Sequence, residues 1–330
     1  MLLAGDIGGT KTLLALFSPD GGPFRPVAER TFRSSDYSSF ETMVAEFLSS
    51  VTEPVSHGSF GVAGPVAEGA VNTTNLPWVI EEKSLAGAVG LKAAFLLNDL
   101  EAVAYAIPHL EPDDLHVLNE GRPVRGGAMA IIAPGTGLGE AFLVWTDRGY
   151  RACPSEGGHT DFSPATAREV SMLQYLQARY DHVSWEHVCS GIGITNIYSF
   201  LRDTGAAEEP PWLAAELKRA GDANPVIIEN GLRNPDKCEI CRLTLETFVS
   251  LLGRESSNLA LKVLATGGVY LGGGIPPRIL PALEGGPFLE AFRGKGRMTH
   301  LVNRIPVKVI VNEKAALLGA ACYGLERMGG

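Results

Sequence analysis

Short, nearly unbroken apolar runs that end in glycine-rich turns alternate along this chain with stretches whose apolar residues recur every three to four positions. Residues 2–6 and 13–17 read as strands joined by Gly8-Gly9-Thr10, a turn for which glycine supplies positive φ angles. Residues 27–33 read as a third strand. Phe40, Val44, Phe47, Leu48 and Val51 fall on one face of a helix. Residues 58–63 and 93–97 read as two more buried strands, the second running into Asn98-Asp99 and a helix to about residue 107. Between them Pro77-Trp78 ends a short hairpin-like insert.

The pattern then begins again. Residues 128–133 form a strand, Pro134-Gly135-Thr136-Gly137-Leu138-Gly139 a glycine-rich turn, and residues 140–145 a returning strand. Apolar strand, tight Gly-Thr turn and apolar strand thus occur twice, an internal repeat that predicts two facing domains of common plan. Residues 163–262 are mostly helical, with starts expected at Ser163 (Pro164 following at the first helical position), Thr195 and Pro210. A buried strand over 263–271 closes on Gly272-Gly273-Gly274. A last strand over 307–311 precedes a terminal helix over 313–327. No low-complexity linker interrupts the chain, so any hinge is a short crossing near Pro108.

Composition narrows the class. The 330 residues, 45% hydrophobic and 20% charged, exceed one comfortable core and match globular averages. No apolar run is long enough to span a bilayer, and the N-terminus lacks the pattern of a signal peptide. A cytoplasmic protein without membrane contact is expected. Cys153, Cys189, Cys238, Cys241 and Cys322 are an odd, scattered set, better read as free thiols than as a disulfide framework. The Cys238-x-x-Cys241 spacing fits core packing on one helical face. A net charge of −9 argues against a nucleic-acid partner. If the ligand is a nucleotide, backbone amides, a few placed cations and a metal ion must hold its phosphates.

Five segments carry candidate chemistry. In Gly5-Asp6-Ile7-Gly8-Gly9-Thr10-Lys11-Thr12 the turn directs amides of Gly8, Gly9 and Thr10 into one concavity that suits an anion. Asp6 is placed to hold hydrated Mg²⁺ through its water shell, and Lys11 adds positive charge. The segment is neither a P-loop nor a dinucleotide fingerprint. Gly135, Thr136 and Gly137 repeat the device, and two such turns suit a polyphosphate. Asn98-Asp99 follows a central strand, where open α/β sheets bind ligands; Asp99 is equally suited to capping the next helix. Gly157-Gly158 lets Glu156 and His159 point at one small ligand, a pair suited to vicinal hydroxyls. Glu186 is a further carboxylate, read by itself as a surface residue. Gly272, Gly273 and Gly274 allow backbone to approach a flat ring. Trp78 and Trp212 read as packing residues.

Taken in order, these motifs resemble the bacterial glucokinase family of the hexokinase/actin/Hsp70 superfamily, in the group typified by the proteobacterial enzymes. The resemblance runs from Gly5-Asp6-Ile7-Gly8-Gly9-Thr10 through Leu97-Asn98-Asp99, Gly135-Thr136-Gly137-Leu138-Gly139, Glu156-Gly157-Gly158-His159 and Gly272-Gly273-Gly274-Ile275 to residues 312–318. It implies an α/β fold of two actin-like (ribonuclease H-like) domains flanking a deep cleft, the larger with extra helices. Residues 1–109 plus 313–330 would form the small domain and 110–312 the large one. It further implies that Asn98, Asp99, Glu156, His159 and Glu186 bind glucose, with Asn75 reaching it from a loop of the small domain. Phosphate contact falls to Gly8, Gly9, Thr10, Thr136 and Gly137, adenosine contact to residues 272–275. The repressor/ORF/kinase group carries a cysteine-rich zinc motif after its Glu–His loop. Here Asp161-Phe162-Ser163-Pro164 follows instead, so no structural zinc is expected.

The expected activity is ATP- and Mg²⁺-dependent phosphorylation of glucose at its 6-hydroxyl, in a homodimer, with Asp99 as general base and no phospho-enzyme. Two other readings are a kinase for another hexose (mannose, fructose or an amino sugar) and a non-catalytic sugar sensor. Sensors related to sugar kinases add a helix-turn-helix domain, for which the position of the first phosphate turn leaves no room.

Overall fold

The computed structural model describes residues 1–73 and 76–329. Its backbone is built on two sheets of one plan. The first contains β1 (Leu2–Ile7), β2 (Lys11–Phe17), β3 (Ala28–Arg33), β4 (His57–Val62) and β7 (Ala93–Asn98), in the order β3-β2-β1-β4-β7. The hairpin β1–β2 is antiparallel, while β4 and β7 run parallel to β1. A small ribbon, β5 (Ala70–Asn72) with β6 (Val79–Glu81), forms the insert. The second sheet contains β8 (Leu115–Asn119), β9 (Met129–Pro134), β10 (Leu138–Thr146), β11 (Gly149–Ser155), β12 (Gly268–Leu271) and β13 (Val307–Ile310), in the order β11-β10-β9-β12-β13-β8. Here too the hairpin β9–β10 is antiparallel and β12 and β13 are parallel to β9. Apart from the extra edge strand β8, the two orders correspond strand for strand. The repeat visible in the sequence is therefore a repeat of topology.

Helices α1 (Phe40–Ser49), α2 (Glu82–Val89) and α3 (Asp99–Ala106) accompany the first sheet. Between β11 and β12 come α4 (Ala167–Gln177), α5 (Gly191–Asp203), α6 (Pro211–Arg219), α7 (Ala223–Arg233) and the long α8 (Glu239–Val263). After β12 come α9 (Leu280–Glu284), α10 (Pro287–Arg293), α11 (Thr299–Val302) and α12 (Ala315–Met328). By contacts the chain divides into two compact units: Met1–Asp114 with Arg148–Cys153 and Asn312–Gly330, and Leu115–Asp147 with Pro154–Val311.

In the first unit both faces of the sheet are covered. Leu3, Leu14 and Phe60 pack with Phe40 and Phe47 of α1, while Leu2, Ala4, Ala15 and Phe17 pack on Leu317, Ala320 and Ala321 of α12. Central strands buried on both sides need continuous apolar runs rather than alternation, which is how residues 2–4 and 14–17 read. Small residues bring α12 in close: a Cβ on Gly319 would collide with the Ala102 carbonyl of α3. The second unit's core includes Ile132 of β9, Trp185, Phe248 of α8 and Phe288 and Phe292 of α10.

Several boundaries differ from the sequence reading. Helix α4 starts at Ala167, because Thr166 and Glu169 form a reciprocal capping box. Helix α5 starts at Gly191, four residues before Thr195, capped by Ser190; two glycines in its first turn hid it. The strand expected over 263–271 shrinks to Gly268–Leu271, since α8 continues to Val263 and Leu264 turns left-handed at φ 52°. Cys238 and Cys241 are fully buried core residues, as expected. Trp78 is a packing residue, 3% exposed, its indole donating to the Tyr37 carbonyl. Among the described residues no helix is long and apolar enough to cross a membrane.

Candidate active site

In the first unit, strand ends bring the candidate residues together. Asp6 lies on β1 opposite Gly61 of β4. Gly61 is needed there, because a Cβ would lie 2.9 Å from Ala102 and 3.9 Å from the Asp99 Cα. The N-terminus of α3 thus sits over β4, and Asp99 comes within electrostatic reach of Asp6. Loss of hydration, then the Asp99 charge, pushes the Asp6 carboxyl up to about 6, with Lys11 opposing. Asp99 is also raised, chiefly by crowding of its carboxyl within the protein, although its outer side reaches solvent. Hydrogen bonding moderates the effect: the Leu100 amide donates to Asp99 Oδ1 at 2.9 Å.

The cap of α3 is Asn98 rather than Asp99. Its Oδ1 accepts from the Leu100 amide at 3.0 Å, and its Nδ2 donates to the Gly64 carbonyl at 3.0 Å. With Asn98 capping the helix, Asp99 occupies the first helical position, its carboxyl oriented by the Leu100 amide and Asn98.

The turn after β1 is held by Ser34, whose hydroxyl donates to the Gly8 carbonyl at 2.7 Å and whose amide donates to Thr10. The Gly8 amide closes the hairpin on Lys11. Gly8 is not in the left-handed region, contrary to expectation. Glycine is required instead by close approach, since a Cβ would stand 2.8 Å from the Lys11 carbonyl. Gly135 and Gly137 likewise lack positive φ. Asn75 lies outside the described residues.

In the second unit, three candidate segments meet. The Leu138 amide, beside Gly135, Thr136 and Gly137, donates to Glu186 Oε2 at 2.9 Å, and a Cβ at Gly137 would collide with that oxygen. The Glu186 amide donates to the Gly158 carbonyl at 2.8 Å. Glu186 therefore bridges the phosphate-type turn and the Glu156–His159 turn, a role invisible in its sequence context. The latter turn is a 3₁₀ segment, Gly157–His159, in which Glu156 Oε2 and His159 Nε2 stand 3.9 Å apart, both well exposed. Gly158 passes so close to the Leu138 carbonyl that no Cβ fits. His187, unnoticed in the sequence, lies against Tyr180 with ring centroids 4.0 Å apart and planes tilted by 37°, and its Nδ1 accepts from the Ser184 amide; burial lowers the pKa of its imidazole.

The Gly272–Gly274 turn packs on the same hairpin. Gly273, at φ +78°, sits 2.5 Å (from an added Cβ) from the Pro134 carbonyl, and the Ile275 amide donates to Pro134. Together these turns edge a pocket of about 920 Å³ lined by Gly135, Thr136, Gly191, Ile192, Asn224, Ile228, Gly274 and Ile275. Its size suits a nucleoside, and its lining mixes apolar Ile192, Ile228, Leu232 and Ile275 with polar and charged Thr195, Asp222, Glu229, Arg233 and Arg278. Helices α5 and α7 supply most of its lining, a role the sequence does not show. The available signal was the Gly191-Ile192-Gly193 start of α5: Gly191 leaves room for the Asn224 amide, and its own amide donates to the Gly135 carbonyl. Among the described residues no group of three or more His, Cys, Asp or Glu is arranged to hold a metal.

Comparisons with known proteins agree with this architecture. The family model described as Glucokinase matches residues 3–327. The glucokinase of Nostoc punctiforme is 38% identical over 335 residues, spanning 97% of this chain and 98% of that protein. The crystal structure of glucokinase from an Antarctic psychrotroph superposes with a TM-score of 0.84 at 32% identity, covering 99% of this chain and 98% of that one. A ROK family glucokinase from Streptomyces griseus, in complex with glucose and AMPPNP, shares the fold at TM-score 0.62 and 19% identity, over 98% and 99% of the two chains. On a match that runs nearly end to end and a fold duplicated strand for strand, this chain belongs to the glucokinase family of sugar kinases.

Proposed function

We propose that this protein transfers the γ-phosphoryl group of ATP to the 6-hydroxyl of D-glucose, giving glucose 6-phosphate and ADP. The observation that carries the reading is Asp99: a carboxyl just after the end of β7, oriented by hydrogen bonds from the Leu100 amide and Asn98, with Asp6 as its acidic neighbour. Asp99 accepts the proton of the 6-hydroxyl as that oxygen attacks the γ-phosphorus. The oxygen–phosphorus bond to ADP breaks as the new one forms, and no phospho-enzyme intervenes. Asn98, Glu156, His159 and Glu186 hydrogen-bond the sugar, with Asn75 as a further contact.

Turn amides at Gly9, Thr10, Thr136 and Gly137, with Lys11, serve the phosphates, while the Gly8 and Gly135 amides, expected to join them, are spent on closing their own hairpins. Residues Gly272, Gly273 and Gly274 flank the adenosine. Mg²⁺ fits the chemistry of Asp6, whose carboxylate is short of positive partners, and it would be held through its water shell. Bound with the nucleotide, the ion neutralises charge on the phosphates. Most of the acceleration comes from alignment and preorganised donors. The protein works as a cytoplasmic homodimer; its five free thiols match a reducing compartment, and the dimer follows from the family resemblance.

A coupled ADP-release assay over glucose, mannose, fructose and glucosamine tests the reading. Glucose is expected to give the highest kcat/KM, with phosphate found on O6 by NMR. A higher value for another hexose would overturn the assignment, and absence of transfer to any sugar would overturn the activity.

A further inference from the structure

Beneath the turn that carries Glu156 and His159 lies a carboxyl that the proposed reaction does not use. Glu140, on β10, is 2% exposed, and neither of its oxygens meets a hydrogen-bond donor among the described residues. A Cβ placed on Gly157 would collide with Glu140 Oε2. The carboxyl is therefore packed directly against the backbone of the turn, and glycine at 157 is what leaves it room. The rest of the turn is pinned elsewhere: the Gly157 amide donates to Ser155 Oγ at 3.0 Å, and the Gly158 carbonyl accepts from Glu186.

From α8, Glu255 faces Glu140 and is wholly buried. The surrounding donors and cations are committed to Glu255 and its neighbours. Asn258 Nδ2 donates to Glu255 Oε2 at 2.8 Å, and Lys262 Nζ lies 3.5 Å from Oε1. Lys295 donates to Asn258 Oδ1 and to the Arg254 carbonyl, while Arg254 pairs with Glu169 at 3.1 Å. The remaining titratable neighbour is the buried Cys189 thiol, which burial and these carboxyls hold protonated. An ionised Glu140 would be a second buried negative charge with no donor, the costliest arrangement available. A protonated Glu140 becomes a donor, and Glu255 is the acceptor in front of it.

We propose that Glu140 is a positioning residue: a neutral acid, hydrogen-bonded to Glu255, that props the Glu156–His159 turn in its sugar-binding shape. The proposal rests on the reading of Glu156 and His159 as glucose contacts. Burial, reinforced by the Glu255 charge, pushes the Glu140 carboxyl up to about 8. A raised carboxyl keeps its proton through neutral pH and gives it up above that value. Two repelling carboxylates then face each other against Gly157, and the turn shifts.

The test uses the full-length protein and its Glu140→Gln and Glu140→Ala variants. Measured from about pH 6.5 to 9.5 are kcat, the KM for glucose, the KM for ATP, and sugar-free amide exchange over residues 156–160, corrected for intrinsic rates. In the wild type the KM for glucose is expected to rise about fivefold or more at the alkaline end, with the KM for ATP flat. Glu140→Gln, neutral and able to donate, should stay within about twofold of wild type at neutral pH and lose the alkaline rise. Glu140→Ala should raise the KM for glucose about tenfold at every pH while kcat changes less than about threefold.

Exchange protection of the turn should follow the same pattern. An alkaline rise that persists in Glu140→Gln, or a wild-type KM in Glu140→Ala, overturns the proposal. If Glu140→Ala fails to fold, the Gln variant decides alone. If the protein does not phosphorylate glucose, the functional reading falls, and the exchange data still judge the role of Glu140.

Discussion

At the scale of single residues, two carboxyls divide the work in the first unit. Asp99 accepts from the Leu100 amide, and Asn98 caps the helix, so replacing Asp99 by Asn preserves the helix start and removes only the proposed base. Asp99→Asn is expected to lower kcat about 10²–10⁴-fold with a KM for glucose within a few-fold of wild type, measured by ADP release. Asp6 is a different case. Its carboxyl is raised to about 6 from the ordinary 3.8, so the folded protein holds that proton more tightly than the unfolded chain. The sign follows: the burden on stability is present above about pH 6 and disappears below the unfolded value. Asp6→Asn should therefore stabilise the fold at pH 7.5 by about 1–2 kcal/mol after allowing for solvent screening, read as a higher midpoint of thermal unfolding, and the gain should vanish below pH 4. Activity should fall in the same variant, a stability gain set against function.

At the scale of elements, the hairpins and the turns packed on them are set by close approach. Gly273 is the clearest case, because both its φ of +78° and its 2.5 Å clearance to Pro134 exclude a side chain. Gly273→Ala stores strain of about 1–3 kcal/mol or displaces the turn from the Pro134 carbonyl. Its KM for ATP is expected to rise about tenfold, with the KM for glucose nearly unchanged, in initial-rate assays varying each substrate in turn. The strands and the repeat were legible, since residues 2–17 and 131–145 display apolar runs broken by Gly-Thr turns. Helix starts were less so. Ser190 capping α5 was masked by Gly191 and Gly193, and nothing in the local pattern separates the apolar end of α8 from the strand that follows.

At the scale of the whole molecule, ligand binding should appear as stability. Glucose at about a hundred times its dissociation constant adds about 2.7 kcal/mol to a protein that binds it only when folded. The midpoint of thermal unfolding should thus rise with glucose and less with a sugar that is not a substrate, by scanning calorimetry. A homodimer would show a mass twice the 35.1 kDa of the chain in light scattering after size exclusion. An acidic chain with net charge −9 offers a polyphosphate no general positive field, so the proposed phosphate contacts fall to Lys11, a metal and the amides of Gly9, Thr10, Thr136 and Gly137.

Sequence alone determined the two glycine hairpins, the alternation of buried strands and helices, the motif order that marks the family, and the residue types Asn98, Asp99, Glu156 and His159. Each is encoded by neighbours within one or two turns of chain. Only the tertiary structure decided that Asp6 and Asp99 feel each other, that Glu186 ties Leu138 to Gly158, that α5 and α7 wall a pocket, and that Glu140 and Glu255 share one buried space. Those relations join residues distant in sequence, and a carboxyl's charge state depends on what lies across that distance rather than on what stands beside it in the chain.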